Sequence, residues 1–306
     1  MSKHINSSNR YPWPMISQLI EAIAEKHGLN NDNVLVGAGS TQIIDAVVQL
    51  AALQKGSFIL ARPTFSRLAG AAEKAGLQKI EVSLNANKQH DLAAMLHAVR
   101  QDTRLIYICN PNNPTGTICE HGALTAFIKE ASKHSLVMVD EAYIDYTNEQ
   151  SVSGLVADNK SLIVVKTFSK IYGLAGARIG YALAHANTIE RLQELQCGAN
   201  IGISTASLAG AMAALKDDDH VKKTAIKNSE CRNYTINELE RHKINCIPSN
   251  TNFIYFSLAN YNKDFFGKLK NANIKGTEIF EEDGKWSRIT VGTDSEMSRF
   301  IKVVTE

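Results

Sequence analysis

Three polar residues recur at regular intervals through the middle of the chain, each beside a short apolar run. Asn113 follows "LIYIC", Asp140 closes "LVMVD", and Lys170 follows "LIVV". They are 27 and 30 residues apart, about one strand–helix unit each. If the apolar runs are neighbouring parallel strands, an amide, a carboxylate and an amine meet beyond their carboxyl ends, where open α/β sheets bind ligands. Taken singly, Asp140 reads as a helix cap and Lys170 as a solvated loop lysine. Three such groups at three strand ends read as a site. Thr167 and Ser169 flank the lysine, and Arg178 follows eight residues later in "KTFSKIYGLAGARIG".

A fourth element is the glycine turn "GAGSTQIID". Gly37 and Gly39 permit a tight bend, and Ser40 and Thr41 then open a helix whose free N–H groups and positive dipole end suit a phosphate. The turn is not G-x-G-x-x-G, and no acidic residue about 20 positions later marks a ribose, so a dinucleotide site is not expected. An amine that can form an imine, a carboxylate that keeps a ring nitrogen protonated, and hydroxyls with an arginine for a phosphate are together what pyridoxal phosphate (PLP) needs.

These groups must be carried by an alternating framework. "MISQLIEAIAEKHGL" has helical spacing and a glycine stop. "NVLVGAGSTQIIDAVVQLAAL" reads as strand, turn and helix. Three further apolar runs are separated by helical segments, "ALTAFIKEASKH" and a region around "SVSGLVADN". The expected fold class is therefore α/β, a mostly parallel central sheet flanked by helices. From about residue 215 the texture changes: a long charged helix, then "TNFIYFSL" and "SRITVGT" as strands. This predicts a large PLP-binding domain over 1–212, with a short N-terminal segment, and a smaller C-terminal α+β domain over 213–306.

Composition narrows the partners. The 306 residues are 44% hydrophobic and 21% charged, with net charge +2, which gives no reason to expect nucleic acid. No apolar run approaches the ~18 residues of a membrane span, and the start, "MSKHINSSNRYPWP", has no signal core. Five scattered cysteines without a CxxC pair fit a reduced, cytoplasmic chain. The nine histidines show no ligand spacing, and no metal is expected.

The segments "RPTFSR", "NPNNPTGT", "VDEAYIDY", "KTFSKIYGLAGARIGY", "SNTNFIYF" and "RITVGT", in that order and across nearly the whole chain, resemble the histidinol-phosphate aminotransferase-like, class II-like, fold-type I PLP-dependent aminotransferases. The resemblance implies a homodimeric, cytoplasmic transaminase of amino-acid biosynthesis. Its substrates would be a small-molecule amino donor and a 2-oxo acid, with histidinol phosphate and 2-oxoglutarate giving imidazole acetol phosphate and glutamate. It also implies roles. Lys170 resembles the lysine that carries the cofactor and later moves a proton. Asp140 would pair with the pyridine nitrogen, Asn113 and Tyr143 with the phenolic oxygen, and Phe65 would stack on the ring. Gly39, Ser40, Thr41, Thr167, Ser169 and Arg178 would hold the phosphate. Arg288 resembles the clamp for the substrate carboxylate, with Arg299 and Asn252 nearby, and Tyr11 matches a tyrosine that reaches the neighbouring subunit's cofactor.

The pattern departs from the family in two places. Relatives carry a further stretch before the position of Tyr11, with an "NENP"-like segment that closes the site. Relatives that read a phosphorylated side chain often have a basic residue in a "GIxxR"-like strand; here the stretch is "NIKGTEIF", with Lys275 nearby and Thr277 in the arginine's place. Two rivals follow: a decarboxylase of the threonine-phosphate type, and a truncated, catalytically idle PLP-binding protein.

Overall fold

The computed structural model describes residues 9–196, 202–275, 279–281 and 284–306. Strands β1 (Val34–Gly37), β2 (Ser57–Arg62), β3 (Gln78–Ser83), β4 (Thr103–Cys109), β5 (Leu136–Asp140), β6 (Leu162–Thr167) and β7 (Gly180–Ala184) form one sheet in the order β1-β7-β6-β5-β4-β2-β3. The five strands β3, β2, β4, β5 and β6 are mutually parallel, and β7 runs antiparallel to both β6 and β1. The fold is the expected α/β type with a mostly parallel sheet. The antiparallel β7 was not foreseen, because "IGYALA" carries no mark of direction.

The inner strands are apolar on both faces, as burial on both sides requires. One face holds Ile106, Val137, Val139 and Val164 beneath α1 (Trp13–His27), α5 (His121–Ala131) and α7 (Thr205–Leu215). The other holds Tyr107, Met138, Ile163 and Val165 beneath α2 (Ser40–Ala51), α3 (Arg67–Lys74) and α6 (Ala186–Leu195). α4 (Leu92–His97) packs against α5 through the first of these layers. The "SVSGLVADN" segment is a 3₁₀ helix, Val152–Asp158, rather than an α-helix.

A third core gathers Leu239, Ile254, Phe256, Leu269 and Phe300. It lies among α8 (Asp218–Arg241), the antiparallel sheet of β8 (Cys246–Ile247), β9 (Phe253–Ser257) and β10 (Trp286–Thr290), α9 (Phe265–Asn271) and α10 (Asp294–Thr305). The expected 212/213 boundary falls inside α7, whose residues to Leu215 still pack in the large unit's core. The chain turns at Lys216–Asp217 before α8. Strand β9 serves both units: Phe253 joins the core of the large sheet, and Ile254 and Phe256, on the opposite face, join the small one.

Candidate active site

Because β4, β5 and β6 are adjacent and parallel, their carboxyl ends open on one edge of the sheet. A cavity of about 180 Å³ lies there. Asn113, Asp140, Tyr143 and Lys170 line it from these strand ends. Ser40, Thr41 and Phe65 line it from the β1–α2 turn and the approach to α3, and Thr167, Ser169 and Arg178 from the β6–β7 connection. Residues that sequence spacing alone placed at three strand ends thus share one wall with the glycine turn.

Asp140 is 3% exposed. Tyr107 Oη donates to its Oδ2 at 3.0 Å and the Ala142 amide to its Oδ1 at 3.1 Å. Burial nevertheless pushes its carboxyl up to about 6, against the pull of those two donors and of Lys170. A carboxylate so placed gains from a cation brought to it. The Lys170 ammonium sits 5.2 Å from the Tyr143 ring centroid. Burial, then the Arg288 guanidinium, holds it below the usual lysine range, which favours the free amine that attacks a carbonyl. Cys109 forms part of the wall, and burial raises its thiol so far that it stays protonated.

The expected phosphate end is built from a glycine turn, hydroxyls and one cation. Gly39 has φ +81°, and a Cβ there would come 2.5 Å from Arg178 Nη2, so only glycine admits the guanidinium so close. Arg178 Nη1 donates to Ala175 O at 3.1 Å and Ser169 Oγ at 3.4 Å, and among the described residues it pairs with no carboxylate. A guanidinium facing a helix start and four hydroxyls, with no anion of its own, fits a phosphate. An amine, a carboxylate opposite and this cradle fit PLP in both charge and donor type.

On the small unit's side, β10 presents Arg288 opposite Tyr255 of β9. Its guanidinium lies 4.8 Å from the Phe253 ring and 5.2 Å from the Phe280 ring. Nη1 donates to Asn113 Oδ1 at 2.5 Å. Phe253 in turn meets Tyr143 edge-on at 5.1 Å. The expected substrate clamp therefore adjoins the expected cofactor wall.

Other expected residues lie elsewhere. Arg299 is exposed on α10 and donates to Ala272 O. The buried stripe of that helix is Met297, Phe300, Ile301 and Val304, which turns Arg299 outward. Asn252 lines a separate groove of about 510 Å³ between α8 and the β10–α10 turn, and its carbonyl accepts from Val291 N. Tyr11 is 72% exposed, stacked on Trp13 and outside the cavity of its own chain. Lys275 is exposed, and Thr277 lies outside the described residues. Trp286 stacks on Tyr255 at 5.0 Å, with Lys88 Nζ 4.6 Å over its ring. Sequence reasoning missed Tyr107; a tyrosine inside an otherwise aliphatic strand was the available signal, since a buried hydroxyl needs a partner.

Fold and cavity together define a fold-type I PLP-dependent enzyme. The model for "Aminotransferase class I and II" matches residues 3–304. The chain is 35% identical over 302 residues to the histidinol-phosphate aminotransferase of Moorella thermoacetica, covering 97% of this chain and 77% of that protein. It is 34% identical to histidinol-phosphate aminotransferase 1 of Bacillus cereus, covering 97% and 80%. The crystal structure of a candidate histidinol-phosphate aminotransferase from Erwinia carotovora atroseptica superposes with TM-score 0.92 at 28% identity, covering 99% and 89%. The chain belongs to the class I and II aminotransferase family and is a PLP-dependent transaminase. Among the described residues no helix is long and apolar enough to cross a membrane, and no group of three or more His, Cys, Asp or Glu side chains could hold a metal.

Proposed function

We propose that this chain transfers the amino group between histidinol phosphate and 2-oxoglutarate, giving imidazole acetol phosphate and glutamate, in histidine biosynthesis. The reading draws on the relatives that carry that name. The observation that carries it is the cationic Arg288, set among Phe253 and Phe280 and bonded to Asn113 at the cavity wall. A fork so placed suits an anionic substrate group beside a flat ring.

PLP, when bound, supplies an electron sink for the bond broken at the substrate Cα. The protein's part is positional and protonic. Lys170 would hold the cofactor through its amine and, once that amine is free, would carry the proton taken from Cα. Asp140 would keep a proton on the ring nitrogen. Asn113 and Tyr143 would donate to the phenolic oxygen, Phe65 would stack on the ring, and Arg178 with Ser40, Thr41, Thr167 and Ser169 would hold the phosphate. The enzyme works as a cytoplasmic homodimer, with Tyr11 reaching the cofactor of the neighbouring subunit.

A half-reaction screen tests the substrate. The PLP-loaded protein is mixed separately with L-histidinol phosphate, L-glutamate and aromatic amino acids, and loss of the lysine-bound cofactor's visible band is followed. Conversion by histidinol phosphate and glutamate is expected. Carbon dioxide release from a phosphorylated amino acid would instead establish the decarboxylase, and an unchanged band with every amine would establish the idle binder.

A further inference from the structure

Behind the cavity, on the opposite face of the large sheet, lies a second charged cluster. Side chains alternate across a strand, so the neighbours of site residues point away from the site. Glu141 follows Asp140, and Lys166 precedes Thr167. Both belong to the face where Val139 and Val164 pack, while Met138 and Val165 pack on the cavity's face. Lys166 is 4% exposed. Its ammonium donates to Glu141 Oε2 at 3.3 Å and Asp145 Oδ1 at 3.4 Å. Glu141 also accepts from Ser151 Oγ at 2.5 Å and Val152 N at 2.9 Å, and its own amide donates to Val165 O at 2.8 Å.

The other titratable groups coupled to this cluster are His27, Tyr146, Tyr172 and Tyr181, with Lys26 beside His27 and Asp218 beside Tyr172. His27 is held between the Tyr181 hydroxyl at 3.0 Å and Ser153 Oγ at 3.3 Å. Burial and then the Lys166 charge lower it to about 4, so it is neutral and Lys166 is the cluster's cation. Burial opposes that charge, but Asp145 and Glu141 outweigh it and raise the lysine.

Glu141 and Asp145 bracket the turn from which Asp140 and Tyr143 enter the cavity. Lys166 holds both ends of this turn from the neighbouring strand, four residues before Lys170. A buried ion cluster is a poor source of stability, because apolar side chains of similar volume often do as well or better. It does impose one geometry on the groups it ties together. We infer that Lys166 is a positioning residue of this transaminase, fixing through Glu141 and Asp145 the 140–146 turn and so the Asp140 carboxylate and the Tyr143 ring at the cofactor. The inference rests on the PLP-dependent reading of the cavity.

The test compares Lys166→Met, Lys166→Arg and Glu141→Gln as PLP-loaded proteins, with melting followed on the cofactor-free chains. Glu141→Gln keeps the carbonyl acceptor for Val152 and removes the charge, so it serves if Lys166→Met does not fold. For Lys166→Met or Glu141→Gln, kcat should fall about tenfold or more with donor KM within about threefold. The pH midpoint of the lysine-bound cofactor's visible band should move by about half a unit or more, and Lys166→Arg should restore both. A lowered melting temperature with kcat and the band's titration unchanged overturns the inference. A wild-type protein that never develops the band overturns the PLP reading itself, and the inference with it.

Discussion

Arg288 Nη1 donates to Asn113 Oδ1 at 2.5 Å, joining residues 175 apart in sequence and two units of the fold. Asn113 faces the cavity at the end of the β4 segment, and Arg288 comes from β10 of the small sheet. One guanidinium therefore bonds to a residue of the cavity wall from the other unit. An anion arriving at Arg288 competes with Asn113 for the same donor.

Arg288→Gln should raise the donor KM by about 30- to 100-fold, or roughly 2–3 kcal/mol, the cost of taking a half-buried cation from a substrate anion. Removing that charge also lets the Lys170 amine titrate higher, because burial and then Arg288 hold it low. The pH midpoint for capture of PLP by the cofactor-free protein should move upward. Measuring donor dependence and capture rate across pH checks both; an unmoved KM would mean that no substrate anion reaches Arg288.

Asp140→Asn should separate stability from activity. The folded carboxyl titrates near 6 against an ordinary 3.8, chiefly through burial. Between those values the folded chain holds a proton that the unfolded chain has released, so stability falls as pH rises through that window. Above it the ionised group costs the cofactor-free protein about 3 kcal/mol. The cofactor-free variant should therefore melt higher than wild type at neutral pH and not at pH near 4, while kcat drops more than about tenfold. Calorimetry at the two pH values decides it.

Gly39→Ala should weaken PLP binding by about tenfold or more, about 1.4 kcal/mol. The new Cβ meets Arg178 Nη2 at 2.5 Å, at a φ of +81° that strains any side chain. In an Arg178→Ala background the same change should cost less, because the clash is gone and the two effects are coupled. Equal losses in both backgrounds, read by fluorescence titration with PLP, would place the strain in the backbone alone.

Lys170→Ala should abolish the borohydride-trapped PLP adduct, and Tyr11→Phe should weaken turnover. Mixed together, the two inactive or impaired chains should recover activity above either alone if Tyr11 completes a neighbour's site. Its 72% exposure and its place outside its own cavity motivate the experiment. A mixture no better than Tyr11→Phe alone would show that the tyrosine has no part across subunits.

The cavity was legible because its groups obey strand-end spacing. Asn113, Asp140 and Lys170 are fixed by three parallel strands of near-equal period, and Gly39 by a turn that only glycine fits. Lys166 and Glu141 were not legible, since a charge inside an apolar strand becomes meaningful only when the facing strand is known. Arg299 was assigned by similarity to relatives, yet the apolar spacing of Met297, Phe300, Ile301 and Val304 already turned it to solvent. The order of β7 needed contacts that local pattern does not contain.

The sheet order also sets a timetable for synthesis. β1 is an edge strand whose one neighbour is β7, with Val34 opposite Leu183. The 149 residues between these partners take roughly 7–30 s to translate. During that interval the nascent β1 and the glycine turn behind it have no ladder to join. Lys170 and Arg178 lie on the connection just before β7, so the amine and the guanidinium are made within about a second or two of each other, long after the glycine turn that must face them. A ribosome-tethered chain released before Gly180 leaves an unpaired apolar strand at its beginning, the kind of surface that chaperones hold.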